Sequence, residues 1–368
     1  MSYRIPVAKP DIGQEEMENV IEAVRSGWIS SKGPFIQKFE SEFATYIGTK
    51  HGIATSNGTV ALHLALTALG IGKGDEVLVP TLTFIAVANS VSYTGATPIF
   101  VDSHPCYWCM DPSDVERKIT ERTKAIITVH LYGHPCDMEP IMKLTREHQQ
   151  YVIEDCAEAH GAEYKGRRVG SFGDISCFSF YGNKIITTGE GGMCLTNDEE
   201  LAEKMRVLRD HGMDPKRRYW HDFVGFNYRM TNVQAAIGVA QVKKIEKLIA
   251  RKRQVARMYA QLLPQGSNLT LAPDMPWAKN VYWFYSILMK SNQVRETIIK
   301  YLDKQGIETR PFFHPMHSLP PYHRALDLPI SVRLSGRGLN LPSGPKITDE
   351  EVQHVAALLG QALANARV

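Results

Sequence analysis

The chain has 368 residues, of which 43% are hydrophobic and 22% charged, a composition typical of a folded protein with a large core and not of a disordered chain. Its 42 lysine and arginine residues barely exceed its 39 aspartate and glutamate residues, so binding to nucleic acid would need a local basic patch. The opening residues lack the charged start and apolar stretch of a secretion signal, and the six cysteines spread over this length predict a reducing, cytoplasmic location.

The first half of the chain alternates helical patterns with short apolar strands. Strands are predicted at 76–80, 97–102, 124–130 and 151–155, with helices at 57–70, 84–95, 112–119 and 138–149. This alternation predicts an α/β fold with a parallel sheet covered by helices on both faces. In such sheets the active site lies at the carboxyl ends of the strands.

Residues 77–101 carry no charge over a length that could span a membrane. Pro80, Asn89, Gly95 and Pro98 interrupt this stretch. Two strands joined by a turn and a helix explain it better than a membrane-spanning helix, so we expect no membrane partner.

A different pattern begins near residue 230. Thr231 and Gln234 form a capping box, and apolar residues recur at helical spacing up to Leu262, which predicts one long helix ending before Pro264. The later segments predict a strand at 281–289, a helix at 293–305, a loop rich in proline and histidine at 311–323 and a closing helix at 348–365.

Two domains are therefore expected. The alternating segments predict a large domain over residues 14–245, and the later segments predict a smaller α+β domain over residues 246–368. Residues 1–13 are expected to form an N-terminal extension that packs near the active site or the small domain.

Three segments carry residues with chemical potential. The first is Ser56-Asn57-Gly58-Thr59, which opens directly into a helix, so that free backbone N–H groups can bind an anion. The same pattern also serves as a plain helix cap.

The second segment, 153–161, ends an apolar strand with acidic side chains and a histidine. Asp155, Glu158 and His160 are candidate metal ligands, although no further ligand cluster at suitable spacing accompanies them. A carboxylate at this place equally suits a ligand with a protonated ring nitrogen. Cys106 and Cys109 have the spacing of a redox or zinc pair, but coincidence explains them better because no second such pair follows.

The third segment contains Lys184, which follows a short apolar strand and precedes a loop rich in threonine and glycine at 187–192. Apolar neighbours such as Phe180 and Ile185 would desolvate the amine, lower its pKa and favour its neutral, nucleophilic form. The glycine spacing excludes a phosphate-binding P-loop.

Together these segments meet the needs of one cofactor, pyridoxal phosphate. Its phosphate needs backbone donors, its pyridine nitrogen needs an acid, and its aldehyde needs an amine. The three segments offer these groups in that order.

The sequence resembles the DegT/DnrJ/EryC1/StrS sugar aminotransferases, which are fold type I pyridoxal phosphate enzymes with a mostly parallel sheet in the large domain. The resemblance covers nearly the whole chain and rests on residues 27–31 (GWISS), 56–66 (SNGTVALHLAL), 130–133 (HLYG), 154–159 (EDCAEA), 178–192 (FSFYGNKIITTGEGG), 225–232 (GFNYRMTN) and 310–317 (RPFFHPMH). The Gly-Asn-Lys triplet, the acid at 158 and the His-Pro-Met-His loop resemble the subgroup that makes GDP-perosamine.

This resemblance implies a set of residues around the cofactor ring. Lys184 would bond to the aldehyde and Asp155 would pair with the pyridinium nitrogen, and these two would be the catalytic residues. Phe84 would stack on the ring, and Glu158 would lie near the ring hydroxyl.

It also implies phosphate, partner and substrate contacts, with no metal ion. Gly58, Thr59 and Ser179 would hold the phosphate, and Asn227 would reach the phosphate of the partner subunit, which makes a homodimer with shared active sites the catalytic unit. The candidate substrate contacts are Trp28, His314, His317 and Tyr322.

The implied reaction moves the amino group of L-glutamate, by way of the pyridoxamine phosphate form of the cofactor, to the C4 ketone of GDP-4-keto-6-deoxy-D-mannose. The products would be GDP-perosamine and 2-oxoglutarate, for O-antigen or related glycan biosynthesis. Alternatives are a UDP- or dTDP-linked keto sugar as substrate, a non-catalytic regulator with the same fold, and a metal hydrolase. A related dehydratase would carry histidine in place of Lys184.

Overall fold

The computed structural model describes residues 3–264, 266 and 269–365. Residues 1–2 and 366–368, at the outer ends of the expected N-terminal extension and small domain, lie outside the described residues, as do residues 265, 267 and 268.

Helices occur along the whole described chain. They are α1 (Gln14–Arg25), α2 (Pro34–Ile47), α3 (Gly58–Ala68), α4 (Ala86–Tyr93), α5 (Pro112–Lys118), α6 (Met138–Glu147), α7 (Glu199–Arg209), α8 (Asn232–Lys243), α9 (Ile245–Leu262), α10 (Asn292–Lys304), α11 (Pro329–Arg337) and α12 (Asp349–Asn365). Short 3₁₀ turns lie at Leu131–Gly133, Met316–Ser318 and Pro320–Tyr322.

Strands alternate with these helices up to residue 196 and resume after residue 268. They are β1 (His51–Thr55), β2 (Glu76–Pro80), β3 (Thr97–Val101), β4 (Thr123–Val129), β5 (Tyr151–Asp155), β6 (Glu163–Tyr164), β7 (Arg167–Arg168), β8 (Ile175–Ser179), β9 (Gly192–Thr196), β10 (Leu269–Thr270), β11 (Ala278–Lys279), β12 (Tyr285–Met289), β13 (Arg310–Pro311) and β14 (Gly338–Leu341).

Seven of the described strands form the main sheet, in the order β1-β9-β8-β5-β4-β2-β3. Neighbouring strands pair in parallel except β9, which runs antiparallel to β1 and β8. The predicted α/β fold with a mostly parallel sheet is confirmed.

The main sheet is covered on both faces because successive side chains of a strand point to opposite sides. On β4, Ile126 packs in the same core as Phe39 of α2, whereas Ile127 packs in the core on the other face with Leu64 of α3. Strands buried on both faces are apolar at most positions, which explains their nearly continuous apolar runs.

A second sheet lies in the C-terminal part of the described chain, with the order β10-β12-β14-β13 and antiparallel pairing throughout. Tyr259 of α9, Ile298 of α10 and Leu359 of α12 share its core. From the same part of the chain, β11 pairs with β6 and joins the short ribbon β11-β6-β7.

The prediction of one long helix after Thr231 is wrong. The capping box is present, since Thr231 and Gln234 exchange hydrogen bonds between side chain and backbone. The helix breaks at Lys244, where φ is −104° and ψ is 6°. At this break between α8 and α9, Lys244 Nζ lies 2.7 Å from Glu16 Oε1 on α1.

The strand predicted at 281–289 is shorter than expected. Tyr282 has a φ of +50°, a left-handed conformation that interrupts an extended strand, and β12 begins only at Tyr285. Residues 281–284 form an irregular segment with buried side chains.

The uncharged stretch 77–101 folds as most of β2, then α4 and then β3. Within the described residues no helix combines the length and apolar character needed to cross a membrane.

Candidate active site

A cavity of about 660 Å³ opens at the carboxyl edge of the main sheet. Val129, Asp155 and Ser179 are the last residues of the neighbouring strands β4, β5 and β8, and all three line it. The cavity therefore lies where a parallel sheet is expected to hold its ligand.

The start of α3 forms one wall of this cavity. Asn57 caps the helix, with its Oδ1 accepting a 3.0 Å hydrogen bond from the Val60 N–H. Gly58 and Thr59 follow and line the cavity. A Cβ on Gly58 would lie 2.8 Å from the Cβ of Ser179, so the glycine brings the helix start against the end of β8. This close approach forms a cradle of backbone donors that suits a phosphate.

Asp155 is buried at the end of β5. Its Oδ1 accepts a 3.0 Å hydrogen bond from the Ala157 N–H, and its backbone carbonyl accepts one from the His130 N–H. Burial raises the pKa of the Asp155 carboxyl, whereas the Ala157 N–H and the charge of Lys184 oppose this shift. A cation placed beside Asp155 would favour its ionised form.

Lys184 lies in the turn after β8, where its backbone N–H donates to the Tyr181 carbonyl. Its Nζ lies 4.0 Å from Glu158 Oε1 and 3.8 Å from the ring centroid of Trp283. Burial lowers the pKa of the Lys184 amine, and the carboxylates of Glu158 and Asp155 oppose that shift. The expected desolvated amine is present in the structure.

Glu158 sits between Lys184 and the turn at Leu131–Gly133. Its Oε2 accepts a 2.7 Å hydrogen bond from the Tyr132 N–H, and Oε1 faces the lysine. Burial raises the pKa of the Glu158 carboxyl, against the opposing effects of Lys184 and the Tyr132 N–H. This carboxyl can therefore exchange a proton with groups around it.

The metal site suggested by Asp155, Glu158 and His160 gains no support from the geometry. His160 is buried among the rings of Phe43, Phe178 and Phe180, and burial lowers its pKa to about 3. Among the described residues, the group with metal-like spacing is instead His130, Glu154 and Cys156. The carboxylate of Glu154 already accepts hydrogen bonds from the backbone N–H groups of Gly170, Phe172 and Gly173.

Most of the residues proposed from the sequence for the cofactor line this one cavity. They are Gly58, Thr59, Phe84, Asp155, Glu158, Ser179 and Lys184. Phe84 is exposed, and its ring centroid lies 5.9 Å from that of Phe313, which also lines the cavity.

The other proposed residues lie outside the lining of the single chain. Asn227 pairs with Asp210 in an isolated bridge, and Trp28 and His314 are exposed. His317 Nδ1 lies 2.7 Å from Thr81 Oγ1. The hydroxyl of Tyr322 donates a 2.7 Å hydrogen bond to Asn89 Oδ1 and lies 3.1 Å from Ser92 Oγ. The loop at 313–323 is therefore anchored to α4 and to the residue that follows β2.

Several lining residues were not proposed from the sequence. They include Thr83, Tyr93, Tyr181, Asn183, Glu190, Trp283, Arg310 and Phe313. Tyr181 and Asn183 belong to the lysine motif, and Arg310 and Phe313 begin the His-Pro-Met-His segment, so the motifs contained a signal for them. Trp283 had none, because it lies far along the chain from every motif.

The donor set fits pyridoxal phosphate. Because Gly58 has no side chain, the start of α3 comes close to the end of β8 and its backbone N–H groups can bind a phosphate. In the same cavity Asp155 provides a buried acid and Lys184 provides a buried amine. The exposed ring of Phe84 lies at the same cavity.

Comparison with known proteins agrees with this chemistry. Residues 10–360 match the profile of the DegT/DnrJ/EryC1/StrS aminotransferase family. The chain is 52% identical over 365 residues to the GDP-perosamine synthase of Caulobacter vibrioides, covering 98% of each chain. It is 50% identical over 362 residues to the GDP-perosamine synthase of Escherichia coli O157:H7, covering 98% of this chain and 99% of that protein. A putative sugar aminotransferase from Streptococcus pneumoniae, solved in its PLP form, matches with a TM-score of 0.95 and 28% identity over all of both chains.

Proposed function

The chain belongs to the DegT/DnrJ/EryC1/StrS aminotransferase family, and from its similarity to two GDP-perosamine synthases we propose that it makes GDP-perosamine. In the proposed reaction the amino group of L-glutamate replaces the C4 ketone of GDP-4-keto-6-deoxy-D-mannose, and 2-oxoglutarate is released. The predicted family, enzyme class and cofactor are confirmed: this is a pyridoxal phosphate-dependent sugar aminotransferase. The names of its two close relatives support the choice of sugar. A cytoplasmic role in building O-antigen or a related glycan is part of the same proposal.

The observation that carries the proposed chemistry is that Lys184, Asp155 and the contact between Gly58 and Ser179 lie in one cavity. When bound, pyridoxal phosphate supplies an aldehyde that accepts the amino group and a pyridinium ring that accepts electrons when a neighbouring carbon loses a proton. Every other requirement of the reaction falls to the residues of the chain.

Lys184 is the proposed proton carrier. Burial favours the neutral amine, which can take the proton from Cα of L-glutamate and later deliver a proton to C4 of the sugar. Glu158 Oε1, 4.0 Å from Nζ, is close enough to stabilise the ammonium that forms between these transfers.

Asp155 and the start of α3 are proposed to orient the ring. The Asp155 carboxylate would hold a proton on the ring nitrogen, and the N–H groups of Gly58 and Thr59 with the hydroxyl of Ser179 would hold the phosphate. Phe84 would cover one face of the ring and exclude water there, and Glu158 would lie near the ring hydroxyl.

Two chains are proposed to complete each site. Apolar side chains are exposed on α1, at Met17, Ile21 and Val24, and in the loop at 219–224, where Val224 is 92% exposed. A second copy that covers these surfaces would bring Asn227 toward the phosphate of its partner. Exposed apolar surface of this extent supports a homodimer.

The sugar nucleotide is proposed to enter past Trp28 and the loop at 313–323. His314 is exposed beside Phe313, which supports direct contact. His317 and Tyr322 bond to other side chains, which supports an indirect role in holding the loop at the cavity.

To test this, the enzyme is loaded with cofactor and L-glutamate and incubated in parallel with the GDP-, UDP- and dTDP-linked 4-keto sugars. We expect ketone-to-amine replacement, measured by mass spectrometry, with the GDP sugar, and none with the Lys184→Ala variant. Preferential conversion of a UDP or dTDP sugar would move the assignment to that nucleotide. A protein that stays colourless with pyridoxal phosphate would instead support the non-catalytic regulator.

A further inference from the structure

Trp283 contacts the active-site lysine in two ways that have no part in the proposed transamination. Its ring centroid lies 3.8 Å from Lys184 Nζ, within the range in which a ring face attracts a cation. Its indole N–H donates a 2.8 Å hydrogen bond to the carbonyl of Asn183, the residue before the lysine. One side chain therefore contacts both the charged end of Lys184 and the backbone from which it extends.

The indole is held in place by its own surroundings. It is buried, and the rings of Phe284 and Tyr132 lie at centroid distances of 4.0 and 6.3 Å. The backbone of Trp283 lies directly against Gly133, where a Cβ would come within 2.8 Å of the Trp283 nitrogen. Its position is therefore set by backbone packing and ring contacts, independently of the lysine.

Few charged groups face the Lys184 amine. The carboxylates of Glu158 and Asp155 favour its ammonium form, and burial disfavours it. His160 lies near enough to sense the lysine charge, but burial lowers its own pKa to about 3, so it stays neutral. The ring face of Trp283 is then the neutral surface that stabilises the ammonium inside the cavity.

We infer that the face of Trp283 is the resting position of the Lys184 amine whenever that amine is not bonded to the cofactor. The inference rests on the proposed transamination, in which Lys184 is bonded in one state and carries protons in another. Held between the ring and Glu158, the ammonium stays at the reacting atoms instead of turning toward solvent. The hydrogen bond to Asn183 fixes the point from which the side chain moves, so Trp283 is a positioning residue.

The direct test measures the pKa of Lys184 in the full-length protein after the cofactor has been removed. Tryptophan analogues with increasing numbers of ring fluorines, inserted at position 283, keep the shape and the N–H but weaken the attraction of the ring face for a cation. We expect the pKa of Lys184 to fall with each fluorine, by up to about one unit across the series. The pKa comes from the pH dependence of labelling by an amine reagent, followed on the Lys184 peptide by mass spectrometry. An unchanged pKa across the series would overturn the inference.

Side-chain variants separate the two contacts. Trp283→Phe keeps a ring face and loses the N–H, whereas Trp283→Leu loses both. We expect Trp283→Leu to lower kcat about tenfold, Trp283→Phe to lower it less, and neither to change KM for L-glutamate greatly. A fall confined to KM would instead assign Trp283 to substrate binding and contradict the inference.

Trp277→Leu is the matched control. Trp277 packs on the rings of Tyr107, His134 and Tyr164 and lies outside the lining of the cavity that holds Lys184. It should leave the pKa of Lys184 unchanged, and an equal shift in this variant would show general loosening and sink the proposal. Labelling requires no sugar, so an error in the proposed substrate leaves this result interpretable.

Discussion

Lys184, Glu158 and Asp155 share one buried space, and burial moves each of them toward its neutral form. The pKa of the lysine is lowered, and the pKa values of both carboxyls are raised. Their opposite charges act against these shifts. Such a balance suits a lysine that must both take and return a proton near neutral pH.

Gly58 has no room for a side chain, which leads to the first prediction. In Gly58→Ala the new Cβ meets the Cβ of Ser179 and should displace the start of α3, which is proposed to bind the phosphate. We expect the dissociation constant for pyridoxal phosphate, measured by absorbance titration, to rise about tenfold or more, a loss of roughly 1.4 kcal/mol. Gly72→Ala is the control, since its Cβ would have 3.7 Å of clearance. Unchanged affinity in Gly58→Ala would place the phosphate elsewhere.

Lys252 gives the second prediction, on pH and stability. Its buried Nζ donates a 2.8 Å hydrogen bond to the Ser343 carbonyl, and burial lowers its pKa to about 7. A lysine in the unfolded chain has a pKa of about 10.4, so between these two values the unfolded state binds more protons and the free energy of unfolding rises with pH. Below pH 7 the full cost of charging Lys252 is present.

We therefore expect Lys252→Met to stabilise the protein more at pH 6 than at pH 9, by on the order of 2–3 kcal/mol in denaturant titrations. The hydrogen bond lost at Ser343 reduces the gain equally at both pH values, so the difference between them is the readout. Lys300→Met, at an exposed lysine, should show no such difference. An equal effect of Lys252→Met at the two pH values would contradict the charge argument.

At the scale of elements, the packing of a helix decides whether a glycine in it can be replaced by alanine. Gly238 of α8 lies against Phe39 of α2, where a Cβ would come within 2.7 Å of the ring, whereas Gly360 of α12 has open space at its Cβ position. The same substitution should therefore have opposite effects in the two helices.

Alanine substitutions at these two glycines should change the free energy of unfolding in opposite directions. Gly360→Ala should raise the free energy of unfolding by about 0.5–1 kcal/mol because alanine is the better helix former. Gly238→Ala should lower it by about 1–3 kcal/mol through overpacking. Both are measured by denaturant titration, and a stabilising Gly238→Ala would mean that α8 and α2 are not tightly packed.

One helix belongs to both halves of the chain. Ile245 and Leu248 of α9 pack in a core of the main sheet, while Val255 and Tyr259 pack in the core of the second sheet. We propose a division into domains at 14–245 and 246–368, with α9 as the rigid connection between them. The N-terminal extension is proposed to belong with the small domain, since the Ile5 N–H donates to the Gly306 carbonyl.

At the scale of the whole molecule, mixed dimers can test whether each active site is shared between two chains. Lys184 and Asn227 would serve one site from different chains, so Lys184→Ala and Asn227→Ala homodimers should each be impaired. Coexpressing the two should restore about a quarter of the wild-type activity, because each mixed dimer carries one intact site. Activity is measured as GDP-perosamine formed per chain. No recovery in verified mixed dimers would mean that both residues serve the same chain.

The sequence by itself determined the local features. Alternating apolar segments predicted the parallel sheet, the small residues before α3 predicted the anion cradle, and the positions of Asp155 and Lys184 after strands predicted that they meet. These features depend on residues close together in the chain, because strand period, helix caps and strand ends are set locally.

Tertiary structure decided the contacts between distant segments. Lys244, where the helix breaks, pairs with Glu16 on α1, and His317 bonds to Thr81 after β2. Trp283 reaches Lys184 because left-handed Tyr282 diverts the chain before β12 and Gly133 lets the two backbones approach. No local pattern joins these residues, since their proximity is created by packing that forms only when the two sheets come together.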